Sequence, residues 1–241
     1  MLRTIIWFIY FWLYLLVCVP ATLWVISLEK RGKTEKADRV TRRFVHNWAA
    51  RLLWMAGARV TVEGADNLPD GPAVYIGNHQ GYFDIPLMLA CVGEPRGLMA
   101  KKEIDRIPGI RTWMRRLHCL FVDRSSATSG AAVLREGEKM LRAGYSLTIF
   151  PEGTRSRGGE MKEFKAGAFR IATLAGVPVV PVTIDGSYKL MEGNRHWFIH
   201  SADVRLTIHP AIETAGLDRA AIRALPETVR ATIAAPLENK E

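Results

Sequence analysis

The stretch AVYIGNHQGYFDIPLMLAC, residues 73–91, indicates the fold of this chain more directly than any other part of it. Its apolar beginning predicts a short buried strand at residues 73–76, and its apolar end predicts a short helix at residues 85–91. The polar turn between them carries His79 and Asp84. A buried strand that passes through a polar turn into a helix is typical of an α/β layer fold.

The same alternation of strands and helices continues along the rest of the chain. Apolar runs and turn residues predict strands at 59–63, 73–76, 98–100, 119–122, 146–150, 177–184 and 204–208. Helical spacing of apolar residues predicts helices at 36–56, 85–91, 110–117, 127–143, 166–174 and 217–233. We therefore expect an α/β fold with a mixed sheet flanked by helices, preceded by a hydrophobic, membrane-anchoring helical segment.

The N-terminal segment carries the strongest physical signal. Residues 5–26 contain no charged side chain and include seven aromatic residues. A run of this length meets the ~20 residues that a transmembrane helix needs, with a kink at Pro20, and the aromatic residues equally suit an interfacial or hairpin anchor. The run is too long for a cleaved signal peptide. We expect membrane-anchoring helices in residues 1–57 and an α/β domain in residues 58–241.

The distribution of charge predicts the orientation and the partners. Arg3 stands nearly alone before the apolar run, whereas seven basic residues follow it between positions 30 and 43. Because positive residues stay on the cytoplasmic side, we expect an inner (cytoplasmic) membrane protein with its α/β domain in the cytoplasm. The net charge of +9 favours an anionic partner such as membrane lipid, a phosphate-bearing substrate or an acidic carrier protein. No recognisable nucleic-acid motif and no metal-ligand spacing is present, so neither nucleic acid nor a metal is expected.

His79 and Asp84 are candidates for acid–base chemistry. Five positions correspond to about 500° around a helix, so the two side chains cannot share a helix face and must meet on a turn, which Gly81 allows. A carboxylate that accepts from one imidazole nitrogen fixes the tautomer and leaves the other nitrogen to take a proton. The alternative is structural: Asp84 caps the helix that follows, and His79 is an ordinary loop histidine.

A second candidate motif is FPEGTRS, residues 150–156, which follows another buried strand. Arg155 offers a planar fork that suits phosphate oxygens, and the turn around Gly153 exposes backbone N–H groups. The alternative is a strand-ending turn with a surface arginine. Lys101 and Lys102 end a further predicted strand, at the sheet edge where such residues gather.

Four blocks in this order resemble the glycerolipid acyltransferases over roughly residues 72–185. The blocks are His79-x4-Asp84, the segment 101–109 with its continuation FVDR at 121–124, FPEGTRS at 150–156, and VPVVPV at 177–182. The resemblance extends to bacterial members that acylate 1-acyl-glycerol 3-phosphate. Two positions depart from the family pattern: Ile104 stands where leucine is common, and His118 stands near a common glycine.

The resemblance implies a reaction. A fatty acyl group would pass from a thioester, acyl-CoA or acyl carrier protein, to the sn-2 hydroxyl of lysophosphatidic acid, which gives phosphatidic acid. Transfer would be direct, without an acyl-enzyme. No bound cofactor is expected, since the thioester itself is the activated group.

The resemblance also assigns roles to residues. His79 would be the general base, and Asp84 would orient it. The acceptor phosphate would be held by Arg155, Lys101, Lys102 and Arg124. Glu152, Gly153 and Thr154 would bind the acceptor or maintain the site: Glu152 would contact the glycerol backbone or orient Arg155, and Gly153 would allow the turn. Backbone N–H groups near the His79 turn are candidates for stabilising the tetrahedral oxyanion.

Other functions compete with this interpretation. The same superfamily includes enzymes with another acceptor, such as glycerol 3-phosphate or an amino-acid-linked lyso-lipid. A membrane protein that binds anionic lipid without catalysis would share the basic surface and the anchor. A serine hydrolase is disfavoured, because no G-x-S-x-G elbow is present.

Overall fold

A computed structural model describes residues 1–123 and 127–238 of the chain. The α-helices in this part are α1 (Leu2–Val17), α2 (Val19–Lys30), α3 (Thr34–Ala56), α4 (Asp84–Cys91), α5 (Ile110–Arg116), α6 (Ala127–Arg142), α7 (Gly167–Ala175) and α8 (Arg219–Glu238). The strands are β1 (Ala58–Glu63), β2 (Val74–Gly77), β3 (Gly97–Lys101), β4 (Leu120–Val122), β5 (Leu147–Ile149), β6 (Val179–Asp185) and β7 (Ala202–Ile208).

The strands form one mixed sheet in the order β1-β7-β6-β2-β5-β3-β4. Strands β6, β2, β5, β3 and β4 run parallel to one another, whereas β7 pairs antiparallel with β6, and β1 runs parallel to β7. The predicted mixed α/β sheet flanked by helices is therefore confirmed. Because five neighbouring strands share one direction, the loops that follow them all emerge at the same edge of the sheet.

Strand β2 lies in the middle of the sheet and is buried on both faces. Tyr75 belongs to the core formed with α3 and α4, whereas Val74 and Ile76 belong to the core formed with α6, α7 and α8. This explains the continuous apolar run of the strand, since a strand covered on both faces has no polar side. The loop that leaves β2 is thereby fixed between two packed layers.

The apolar N-terminal run forms two helices rather than one. Helices α1 and α2 meet at Cys18 with a bend of 40°, two residues before Pro20, whose missing N–H and ring disfavour an uninterrupted helix. In the described residues no single helix is long and apolar enough to cross a membrane, but this bent pair reaches that length and composition when taken together.

Helix α1 has one face packed on the protein and one face exposed. On the packed face, the Trp7 ring lies 5.4 Å from the Phe83 ring, and its Nε1 donates a hydrogen bond of 2.9 Å to the carbonyl of Leu52. The exposed face carries large apolar side chains, namely Ile5, Phe8, Ile9, Trp12, Leu13 and Leu16. The helix thus touches the loop that follows β2 while it presents an apolar surface outward.

Candidate active site

The two motifs emerge from adjacent parallel strands, β2 and β5, at the same edge of the sheet. Their loops are joined directly through the backbone. The carbonyl of His79 accepts from the N–H of Ser156 at 2.8 Å, and the carbonyl of Gln80 accepts from the N–H of Arg157 at 3.1 Å. The segment around His79 and the segment around Arg155 therefore form one structural unit.

His79 and Asp84 are brought together as the turn geometry predicts. Nδ1 of His79 lies 2.6 Å from Oδ2 of Asp84, and the imidazole stacks on the Phe150 ring at a centroid distance of 4.3 Å. The carboxylate is fully buried, whereas 17% of the histidine side chain is exposed. This arrangement directs Nδ1 into the protein and leaves Nε2 as the nitrogen that can exchange a proton with a substrate.

The Asp84 carboxylate is held by more than the histidine. Its Oδ2 also accepts from the backbone N–H groups of Gln80 and Gly81, at 2.6 and 2.8 Å, and its Oδ1 accepts from the hydroxyl of Ser187. A buried carboxylate requires such donors, because it has lost its water. Asp84 is the first residue of α4, so the same side chain belongs to the first turn of that helix and orients the imidazole of His79.

The backbone N–H groups of residues 79–82 are all bound by buried carboxylates. Glu152 accepts from the first, Asp84 from the next two and Glu192 from the last, at distances between 2.6 and 2.8 Å. The expectation that N–H groups of this turn stabilise an oxyanion is therefore wrong for residues 79–82. Their role is to fix the turn.

Glu152 joins three segments of chain. One oxygen accepts from the N–H of His79 at 2.7 Å and the other from the N–H of Lys162 at 3.1 Å. Burial raises the pKa of this carboxyl group. The alternative in which Glu152 orients Arg155 is wrong, because the carboxylate in contact with the arginine is Glu192.

Arg155 is held from two sides and still reaches the surface. Its guanidinium lies over the Tyr82 ring at 3.6 Å, and Nη1 is 3.4 Å from Oε1 of Glu192. The side chain is partly exposed, whereas the Glu192 side chain is fully buried, and burial raises the pKa of that carboxyl group. The long contact with Glu192 leaves most of the fork available for an anion.

The neighbouring residues of this motif occupy the turn as the sequence suggests. Gly153 adopts φ of +70°, a left-handed conformation that glycine adopts without the penalty of a Cβ atom. Thr154 is exposed at the surface of the same turn. Gly153 therefore allows the turn between Glu152 and Arg155, and Thr154 lies on its exposed side.

The predicted lysines lie at the same edge of the sheet. Strand β3 pairs with β5 and ends at Lys101, and the exposed Lys102 forms an ion pair with Asp123 at 3.3 Å. Arg124, the fourth predicted phosphate ligand, lies outside the described residues. No group of three or more His, Cys, Asp or Glu side chains suited to a metal is found within residues 1–123 and 127–238.

Sequence reasoning missed two residues of this site, Ser187 and Glu192. Ser187 carries a partial signal, because it follows the carboxyl end of a predicted strand, but its approach to Asp84 depends on the order of the strands, in which β6 lies next to β2. Glu192 carries no comparable signal. It lies within a short irregular segment and meets the turn only through the folded chain.

Comparisons with known proteins agree with this architecture. The family model described as Acyltransferase matches residues 59–185. The chain is also similar to the crystal structure of the 1-acyl-sn-glycerophosphate acyltransferase PlsC from Thermotoga maritima, with a TM-score of 0.80 and 29% identity over 100% of this chain and 98% of that one.

Several curated relatives are named 1-acyl-sn-glycerol-3-phosphate acyltransferase. One from Borreliella burgdorferi is 33% identical over 77% of this chain and 74% of its own length. A chloroplastic one from Brassica napus is 36% identical over 73% of this chain, but the chain spans only 52% of that relative's length. The family model covers more than half of the chain, and its match contains both the His79 and the Arg155 segments. The chain therefore belongs to the acyltransferase family.

Proposed function

We propose that this chain transfers a fatty acyl group from an acyl thioester to the sn-2 hydroxyl of 1-acyl-glycerol 3-phosphate and so forms phosphatidic acid. The names of its relatives support the acceptor. The observation that carries the proposal is the contact of 2.6 Å between His79 and Asp84, in one unit with the Arg155 turn. The site thus combines a base for a hydroxyl with a cation for a phosphate.

In the reaction, Nε2 of His79 takes the proton of the acceptor hydroxyl as its oxygen attacks the thioester carbonyl carbon. Asp84 stabilises the resulting imidazolium. The tetrahedral intermediate then collapses: the C–S bond breaks, the ester remains on the glycerol, and the thiolate leaves and takes the proton from the imidazolium. Such a positioned base contributes about 10²–10⁴-fold in rate. No acyl-enzyme forms, and the thioester supplies the activation without a bound cofactor.

Arg155 would bind the phosphate of the acceptor, with help from Lys101, Lys102 and Arg124. Its guanidinium is already held on Tyr82, so little side-chain freedom is lost when the phosphate binds. The lysines end the strand on the other side of β5, and they add positive charge at the entrance. Phosphate at this position would place the glycerol hydroxyl toward His79.

The N-terminal helices would hold the enzyme on the membrane that contains its acceptor. The outward face of α1 is apolar and aromatic, which suits the boundary of acyl chains and headgroups. The basic residues that follow in positions 30–43 would lie near anionic lipid on the cytoplasmic side. On this proposal residues 1–57 anchor the protein, and the α/β domain acts at the inner membrane surface.

The test is acyl transfer to lysophosphatidic acid by the purified full chain, with acyl-CoA and acyl carrier protein thioesters as alternative donors. We expect phosphatidic acid from the wild type and none above background from His79→Ala. The matched control is His200→Ala, which removes an exposed histidine and should retain activity.

A second variant separates base from phosphate recognition. Arg155→Gln should raise the KM for lysophosphatidic acid at least ten-fold more than the KM for the donor. If a folded His79→Ala protein formed product at the wild-type rate, the role of His79 as general base would be refuted. Acyl transfer to glycerol 3-phosphate but not to lysophosphatidic acid would refute the proposed acceptor and leave the acyltransferase reaction in place.

A further inference from the structure

A cavity lies at the opposite edge of the sheet from His79. It has a volume of about 390 Å³ and opens where β2, β3, β4 and β5 begin. Residues of α3, of the segments before these strands and of β2 line it, among them Asp38, Arg42, Tyr75, Arg96, His118 and Tyr145. At about 3.3 Å per residue, the length of β2 separates this cavity from His79 by more than 10 Å. The proposed reaction uses none of its side chains.

Arg96 places a buried positive charge in the wall of this cavity. The residue is only 8% exposed. Its guanidinium lies 3.5 Å from the centre of the Tyr75 ring, and Nη2 donates to the carbonyl of Val92. Within the described part of the chain, Nη1 has no hydrogen-bond partner. Burial lowers the pKa of Arg96 to about 10, so it stays charged at neutral pH, and a buried charge of this kind requires a counter-ion.

His118 adds a second donor and an unusual backbone conformation. Its φ is +59°, a left-handed value that is uncommon for a residue with a side chain. The imidazole packs on Tyr145 at a centroid distance of 3.8 Å. Its Nε2 is buried without a hydrogen bond from the described residues and lies 3.7 Å from Asp38. Backbone strain of this type is common where a side chain must face a ligand.

The acidic groups around the cavity compensate Arg96 only in part, through the attraction of Glu94. Asp38 accepts a hydrogen bond of 2.8 Å from Tyr145, Glu94 pairs with Arg42 at 3.2 Å, and Asp70 is exposed. Two buried nitrogens of residues that line the cavity, Arg96 Nη1 and His118 Nε2, have no hydrogen-bond partner among the described residues. Arg116 Nε also has none, but it lies 3.0 Å from Oε1 of Glu29. A ligand with several anionic oxygens would satisfy the first two. A phosphate monoester has three acceptor oxygens and can accept from both.

We propose that this cavity is a second anion site, which binds a phosphate-bearing small molecule between Arg96 and His118. The phosphate can belong to a soluble monoester or to a lipid headgroup. The site is independent of the proposed acyl transfer, because its side chains lie at the other end of the strands.

The test is calorimetric titration of the full chain in detergent micelles with inorganic phosphate. Because Arg155 also attracts phosphate, every protein carries Arg155→Gln. We expect this background to bind one phosphate per chain, and Arg96→Gln to weaken binding at least ten-fold. Arg51→Gln, which removes an exposed arginine of α3, should change binding less than two-fold.

His118→Gly tests whether the imidazole binds phosphate in a variant that should still fold. Glycine accepts the left-handed φ, which offsets the loss of the packing contact with Tyr145, so the protein should stay folded, yet phosphate should bind at least ten-fold more weakly. No binding by the Arg155→Gln background, or equal binding by Arg96→Gln and His118→Gly, would overturn the site. Competition of vesicles rich in phosphatidic acid with inorganic phosphate would assign the phosphate to a lipid, and competition only by glycerol 3-phosphate would assign it to a soluble ester.

Discussion

The substitution Asp84→Asn tests the arrangement at the centre of the proposed mechanism. The amide oxygen can occupy the position of Oδ2, where it still accepts from Nδ1 of His79 and from two backbone N–H groups. The amide NH₂ then faces the Ser187 hydroxyl, which can rotate and become the acceptor. The fold should therefore survive, while the negative charge beside the imidazole disappears.

The structure provides the expected size of the effect. Nδ1 and Oδ2 are 2.6 Å apart, which places the centres of the imidazolium and carboxylate charges about 4 Å apart. At an effective dielectric constant of 20 this attraction amounts to about 4 kcal/mol. Because about 1.4 kcal/mol corresponds to a factor of ten in rate, the loss of this charge should slow the reaction by about 10³-fold.

The assay is the initial rate of phosphatidic acid formation, with kcat and the KM of each substrate determined separately. The loss should fall on kcat, since Asp84 acts on charge that develops during the reaction. The control is Asp203→Asn, which removes an exposed aspartate whose partner is Arg59 on β1. A folded Asp84→Asn protein with kcat within ten-fold of the wild type would refute the idea that this carboxylate stabilises the charged base.

Three further changes address the support of the site and of the fold. Ser187→Ala removes the hydroxyl donor to Asp84. It should lower kcat about ten-fold and lower the free energy of unfolding, measured in urea, by about 2 kcal/mol. An unchanged kcat with an unchanged pH–rate profile would contradict this role of Ser187. Glu152→Gln leaves the backbone N–H of either His79 or Lys162 without an acceptor. The free energy of unfolding should therefore fall by about 1–3 kcal/mol, and equal urea midpoints for the two proteins would contradict this. Burial lowers the pKa of His209 below its ordinary value of 6.5. As pH falls below 6.5 the unfolded chain therefore binds this proton before the folded chain does, and the free energy of unfolding decreases. His209→Gln should lose less of that free energy between pH 7 and pH 5, and equal pH dependence in both proteins would show that His209 does not contribute.

The arrangement of elements was open to prediction, because apolar runs and turn residues carry it. The predicted helix at 36–56 is α3, which ends at Ala56 with Gly57 at φ of +76°, a left-handed cap that glycine suits. The predicted strands at 73–76 and 146–150 are β2 and β5. Such signals are local, since each depends on residues that are neighbours in sequence.

The supporting residues of the site were not open to prediction in the same way. Glu192 reaches the N–H of Tyr82 across 110 positions, and Ser187 reaches Asp84 across 103. No periodicity or spacing links residues so far apart, and the order of the strands decides which loops meet. The antiparallel pairing of β7 with β6 is likewise a property of the packed sheet, because the alternation of strand and helix favours parallel neighbours.

The bound backbone of residues 79–82 has a consequence for how this protein can diverge. Three buried carboxylates accept hydrogen bonds from the backbone N–H groups of that turn. The histidine side chain is therefore oriented before any substrate binds. The Glu192 oxygen that accepts from the N–H of Tyr82 also contacts Arg155, whose guanidinium lies over the Tyr82 ring. A substitution at Tyr82 or Glu192 should therefore disturb the arginine and the histidine turn together, so we expect the two halves of the site to change in concert during divergence and not one at a time.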